Sequence, residues 1–171
     1  ASCNPTTSTQ FTGTIGVPLP STFMKLLDDE GNEVTEWGQP GEIAIKGPQV
    51  MAGYWQRPDE TARCMTPDAY FKSGDIGICD ARGFFKIVDR KKDMILVSGF
   101  NVYPNDVEET ASLCPGVLEC AAVGMPDEKT GEAVKLVIVK KDPTLTERAV
   151  LEYCRANMTA YKQPKVIEFR D

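Results

Sequence analysis

The sequence contains no histidine. The commonest general base at neutral pH is therefore missing, and any proton transfer falls to Lys, Asp or Glu. Zinc sites of mixed Cys and His are excluded too. The six cysteines (Cys3, Cys64, Cys79, Cys114, Cys120, Cys154) lack any Cys-x-x-Cys spacing that would support an all-thiolate site. No apolar run approaches the roughly 20 residues of a membrane-spanning helix. Positive charge is not in excess either. The chain carries a net charge of -6, with 7 Lys+Arg against 12 Asp+Glu in residues 1–89 and 12 against 13 in residues 90–171. Neither part has the basic surplus that nucleic-acid binding requires. The polar stretch Ala1 to Gln10 shows neither an initiating Met nor a signal peptide, so the chain is expected to begin inside a longer protein.

What is present is ordinary for soluble globular structure: 171 residues, 42% hydrophobic and 26% charged. That suffices for one large domain or two small ones. Small apolar neighbours around the thiols (Ile78 before Cys79, Ala121-Ala122 after Cys120) suggest buried, reduced cysteines. A cytosolic location follows from that expectation.

The stretch Gly83 to Glu108 organises the rest. An apolar strand (Phe84, Phe85, Ile87, Val88) runs into five consecutive charged residues, Asp89-Arg90-Lys91-Lys92-Asp93, and a second apolar strand, Met94 to Val97, follows. A hairpin would favour Asn-Gly or Asp-Gly at such a junction, and a solvated face would alternate charge with apolar residues. The knot therefore reads as a junction between two separately folded bodies.

On the N-terminal side, Ala1 to Thr14 reads as a loose or extended leading segment. Strands are predicted at Phe23 to Leu27, Glu33 to Thr35, Glu42 to Lys46, Ile76 to Cys79 and Phe84 to Val88. One short helix starts at Pro58, with Asp59 and Glu60 in its first turn. Together they read as a β-rich unit, a small antiparallel sheet or a barrel-like one. Beyond the knot the order is β-α-β-β-α-β. It has helices at Asn105 to Leu113 and Thr146 to Met158, and strands at Met94 to Val97, Val117 to Met125, Glu132 to Lys140 and Val166 to Phe169. Asn105 or the residue before it is the expected cap of the first helix. Cys120 to Val123 is apolar enough for a central strand. Ala149, Val150, Tyr153 and Cys154 share a helical face. The predicted fold class is α+β, with a short sheet and helices on one face in the second unit.

Four segments together resemble the adenylate-forming superfamily of acyl-CoA synthetases, luciferases and adenylation domains. They are Gly41-Glu-Ile-Ala-Ile-Lys-Gly47 with Gly53-Tyr-Trp55, Ser73-Gly-Asp75, Val88-Asp-Arg-Lys-Lys-Asp93, and Ser98-Gly-Phe-Asn-Val-Tyr-Pro104 with Val107-Glu108. The last two look most like long-chain fatty-acid–CoA ligases. The resemblance implies residues 1–89 as the last subdomain of a large adenylation domain and residues 90–93 as a hinge. Residues 94–171 would be a small C-terminal domain stopping short of its end. It implies ATP, CoA and a fatty acid as substrates, and Mg2+ with no ligand identifiable in this sequence. Peripheral attachment to the inner face of a membrane is left open, as is a medium-chain or aryl acid in place of a fatty acid. A non-catalytic nucleotide-sensing or protein-interaction module on the same fold is the alternative.

Residue by residue, the resemblance makes Asp75 the acceptor for the nucleotide ribose hydroxyls, where two carboxylate oxygens suit a vicinal diol. By position alone, Asp75 is a turn aspartate ahead of a strand. Arg90 matches an arginine near the ribose and phosphates, for which a fixed fork of donors is apt. By position it is a surface cation beside Asp89 or Asp93. Lys92 falls at the family hinge and Gly99 in the loop lining the CoA path, where glycine permits close approach and positive φ. Tyr54, Trp55 and Phe100 are expected to pack rather than bind. The sequence holds no Gly/Ser/Thr-rich phosphate loop, and no Gly-Lys pair follows its last strand. Lys162 and Lys165 precede that strand and are read as decoys. The chain alone is thus expected to be inactive.

Overall fold

A computed structural model describes residues 1–7, 9 and 12–170. It divides into two compact units, Ala1–Lys91 and Lys92–Asp171. The leading segment, read as loose or extended, contributes one short strand among its described residues. Within it β1 (Ser2–Cys3) pairs antiparallel with β2 (Val17–Pro18), while residues 8, 10 and 11 lie outside the described set.

The first unit is built on β3 (Phe23–Leu27), β4 (Gly41–Lys46), β5 (Phe71–Cys79) and β6 (Phe85–Arg90), with the short helix α1 (Pro58–Cys64) between β4 and β5. The four strands form an antiparallel sheet in the order β3-β4-β5-β6. The path has two ends, so of the two forms expected the unit takes the antiparallel sheet and not the barrel-like one. The strand expected at Glu33 to Thr35 is reduced to one bridge, Leu27 to Glu33. Leu26, Ile43 and Phe85 form the core of this unit. Helix α1 buries no residue. Proline in its first turn and Glu60, held between Arg57 (3.1 Å) and Arg63 (3.0 Å), account for its local stability.

The second unit contains β7 (Ile95–Val97), β8 (Phe100–Val102), α2 (Pro104–Ser112), β9 (Val117–Asp127), β10 (Gly131–Lys140), α3 (Glu147–Asn157) and β11 (Val166–Arg170). Strand β10 is the centre of the sheet. β9 runs antiparallel along one side of it; β7 and the parallel β11 share the other. Val134, Leu136 and Ile138 on β10 meet Val107 and Ala111 of α2 and Val150 and Cys154 of α3 in one core. Burying each Val, Leu or Ile side chain among them contributes roughly 1.5–3 kcal/mol.

Three expectations change here. β9 is an edge strand: its small apolar residues serve α2, where Glu108 Oε1 accepts from the Ala122 N–H at 2.8 Å. Edge placement also explains how Pro126 is tolerated in the strand. The cap of α2 is Tyr103, which makes no side-chain capping bond, and Pro104 occupies the first turn. On α3 the inward pair is Val150 and Cys154, while Ala149 faces solvent. Thr146 caps that helix, accepting from the Ala149 N–H.

Candidate active site

Asp75 lies inside β5, not in a turn ahead of it, because the strand begins at Phe71. The β4–β5 ladder pairs Ala44 with Lys72 and Glu42 with Ile76, so residues 73–75 oppose the single residue Ile43. A bulge of this kind bends a strand and re-aims its side chains. Gly74 takes φ +77° within it, and the Asp75 N–H donates to Ser73 Oγ at 3.1 Å.

On its other side Asp75 does find a strand partner. It stands opposite Arg90 in the β5–β6 ladder, and Arg90 Nε lies 2.9 Å from Asp75 Oδ1. Strand β6 therefore extends two residues past its expected end and carries the first two members of the charged knot, Asp89 and Arg90. Asp89 is buried, and its Oδ1 accepts from the Arg90 N–H at 2.7 Å. Only residues 91–93 leave the strand, as one 3-10 turn. The sequence thus placed Asp75 and Arg90 on one site without indicating that they face each other.

Glu42 was the residue that sequence reasoning passed over. It fills a polar position in an alternating strand, yet its side chain is only 9% exposed. Its Oε1 accepts from the Gly74 N–H at 3.2 Å and its Oε2 from Lys91 Nζ at 3.0 Å. Lys91 Nζ also lies 3.3 Å from Asp29 Oδ1. Burial pulls the Lys91 ammonium toward deprotonation, but its bonds to Glu42 and Asp29 outweigh that and leave its pKa above the usual value. The hint available in the sequence was a glutamate at the head of a strand whose next three residues are all apolar.

Beside this network opens a cleft of about 740 Å3, lined by Glu42, Tyr54, Arg57, Glu60, Arg63, Lys72, Ser73, Gly74 and Lys91 among others. Tyr54 is thus a lining residue, and it is half exposed. Trp55 is 87% exposed, so neither aromatic packs as expected. Phe100 is also exposed on one side, while its other face stacks on Tyr161 with centroids 4.7 Å apart.

Lys92 opens the second unit and is solvent-exposed. Gly99 (φ +83°) and Ser98 (φ +51°) form the two-residue turn of a hairpin between β7 and β8, with Val97 opposite Phe100. Two positive φ angles are what a type I′ turn demands. A Cβ placed on Gly99 would meet nothing within 4 Å. Lys162 and Lys165 are engaged by carboxylates of their own unit, Asp106 (2.9 Å) and Asp127 respectively. No group of three or more Cys, Asp or Glu among the described residues has the proximity to hold a metal ion. The cysteines are free, with Cys114 and Cys154 buried, and burial pushes the Cys154 thiol up to about 11. No helix among the described residues is long and apolar enough to cross a membrane.

An antiparallel sheet unit followed by a small α+β unit matches the C-terminal portion of adenylate-forming enzymes. The family described as AMP-binding enzyme matches residues 1–55, and AMP-binding enzyme C-terminal domain matches residues 106–171. This chain belongs to the AMP-binding enzyme family. A long-chain-fatty-acid–CoA ligase of Escherichia coli O6:H1 is 56% identical over 170 residues, which is 99% of this chain and 30% of that protein. A feruloyl-CoA synthase of Amycolatopsis is 42% identical over 160 residues, 93% of this chain and 32% of that protein. ATP-bound MatB from Rhodopseudomonas palustris superimposes with a TM-score of 0.92 at 36% identity, over 99% of this chain and 34% of its own. The chain spans about 30% of the length of the curated ligases it matches.

Proposed function

We propose that this chain is the C-terminal part of an AMP-forming long-chain fatty-acid–CoA ligase. In the first half-reaction a fatty-acid carboxylate oxygen attacks the α-phosphorus of ATP; pyrophosphate leaves and acyl-AMP remains. In the second, the sulfur of CoA attacks the acyl carbonyl, the thioester forms and AMP leaves. Asp75 accepts the ribose hydroxyls, and Arg90, held across the ladder, orients that carboxylate and reaches toward the phosphates. Lys92 is the pivot about which the small unit turns between the two half-reactions. The Ser98–Gly99 turn lines the path of the CoA thiol arm, and Mg2+ is expected to accompany ATP through ligands elsewhere. The free thiols suit a reducing, cytoplasmic setting.

The single observation carrying this reading is the 56% identity to a long-chain-fatty-acid–CoA ligase over 99% of the chain. The feruloyl-CoA synthase at 42% identity keeps an aryl acid as the competing substrate class. The test is acid-dependent pyrophosphate release and thioester formation by the full-length protein, with palmitate and ferulate compared. Turnover with palmitate is expected; activity with ferulate alone moves the acid class, and none with either overturns the ligase reading. The chain alone is expected to release no pyrophosphate above background, and clear turnover by it would contradict the reading of it as only part of the catalyst.

A further inference from the structure

We infer that Glu42 and Lys91 form a latch that anchors the backbone up to residue 91 and so fixes the pivot at Lys92, which makes Lys91 a positioning residue for the thioester half-reaction. The inference rests on the domain-turning reading above and adds the device that localises it. Four pieces of the first unit converge on one carboxylate and one ammonium. Glu42 heads β4, Gly74 lies in the β5 bulge, Asp29 sits in the turn after β3, and Lys91 is the first residue beyond β6. Glu42 spends one oxygen on the Gly74 N–H and the other on Lys91 Nζ, and its side chain is 9% exposed. A carboxylate so placed depends on its partners, because an unpaired buried charge is costly. The Asp29 arm is 60% exposed and adds little by comparison.

The next residue differs sharply. Lys92 is exposed and has no ion-pair partner among the described residues, and the boundary between the two units falls between 91 and 92. The change from tethered to untethered within one peptide bond confines any φ/ψ change to the residues after Lys91. A turn that spread backward would reach Arg90, directly opposite Asp75. The latch separates movement of the small unit from the nucleotide-facing pair. Hinges of this kind are a few residues absorbing the whole backbone change.

The experiment compares Lys91→Met with Lys91→Arg in the full-length protein and measures each half-reaction separately: ATP–pyrophosphate exchange, and single-turnover thioester formation from preformed acyl-AMP. Lys91→Met is expected to slow the thioester step about tenfold, as small misplacements do, and to slow exchange by clearly less. Lys91→Arg keeps the pair and is expected to stay near wild type in both. Equal losses in both half-reactions, or no loss in either, overturns the latch. Hydrogen exchange provides a readout independent of turnover: in Lys91→Met the amides of residues 90–91 should exchange faster while those of residues 95–97 do not. Unchanged exchange at 90–91 overturns the latch even if the enzyme is active. Absence of adenylation by the wild-type protein counts against the ligase reading instead, and the exchange result still decides the latch.

Discussion

Arg90 stands directly across the β5–β6 ladder from Asp75, its Nε 2.9 Å from the Asp75 carboxylate. The arginine side chain is 60% exposed and the aspartate 22%. A pair that open to water contributes about 0–1 kcal/mol to folding, so stability does not explain the arrangement. Orientation of the carboxylate toward a ligand is the role proposed for it. Asp75→Ala in the full-length protein should therefore leave the thermal midpoint nearly unchanged. If Asp75 accepts from the ribose hydroxyls as proposed, loss of charge-assisted bonds of roughly 1.5–3 kcal/mol should raise the KM for ATP in pyrophosphate exchange by about 10- to 100-fold. A collapse in stability with unchanged KM would make Asp75 a structural residue.

Gly99 separates two effects that glycine substitutions usually confound. Its φ of +83° penalises any L side chain, by about 1–2 kcal/mol, while the space around a Cβ is open. Gly99→Ala and Gly99→Leu should thus cost similar stability. If the turn borders the CoA path, leucine should abolish thioester formation, alanine should reduce it less, and both should spare adenylation. The two half-reactions measured side by side check this, and equal losses from leucine in both would remove Gly99 from the CoA path.

Local chemistry made most of the elements legible. Alternation identified β10, proline and acidic residues marked α1, and Thr146 marked the start of α3. What stayed hidden was non-local. The β7–β8 hairpin turns on Ser-Gly rather than Asn-Gly, so its strands read as one strand and a loop. β9 looked central because its apolar side answers to α2, and no composition distinguishes a helix from a strand as the covering partner. At the candidate site, Asp75, Arg90, Lys92 and Gly99 were proposed from the family resemblance of their motifs. The bulge that exposes Asp75 and the burial of Glu42 depend on how β4 and β5 register, which single residues do not announce.

Gly77 offers a test of that register. Its φ is not in the left-handed region, yet a Cβ there would lie 2.6 Å from Ile43 Cδ1 and 2.9 Å from the Lys86 carbonyl oxygen. The isoleucine tip can swing aside, but the backbone oxygen of the neighbouring strand cannot without shifting β6. Gly77→Ala should therefore destabilise the protein by about 1–3 kcal/mol, the usual cost of overpacking. Urea unfolding followed by circular dichroism checks it; a change below about 0.5 kcal/mol would show that the β5–β6 pairing yields more readily than described.

Acid should weaken both units in a window set by their paired carboxylates. The hydrogen bond from Lys135, with that from Arg170, lowers the Glu168 pKa from 4.5 to about 2. Lys25 does the same for Asp68, also to about 2. With the folded pKa depressed, the unfolded chain takes up protons first as pH falls. The stabilisation is therefore complete above the ordinary carboxylate pKa and is lost progressively between about pH 4.5 and 2. Glu168→Gln removes that contribution at Glu168 on β11, the strand paired in parallel with β10. Its thermal midpoint should lie below wild type by a constant amount above pH 5. The gap should narrow as pH falls and close near pH 2, in calorimetric scans at fixed ionic strength. A gap that stays constant down to pH 2 would mean that glutamine disturbs packing instead, and that the Lys135–Glu168 pair adds nothing that titrates.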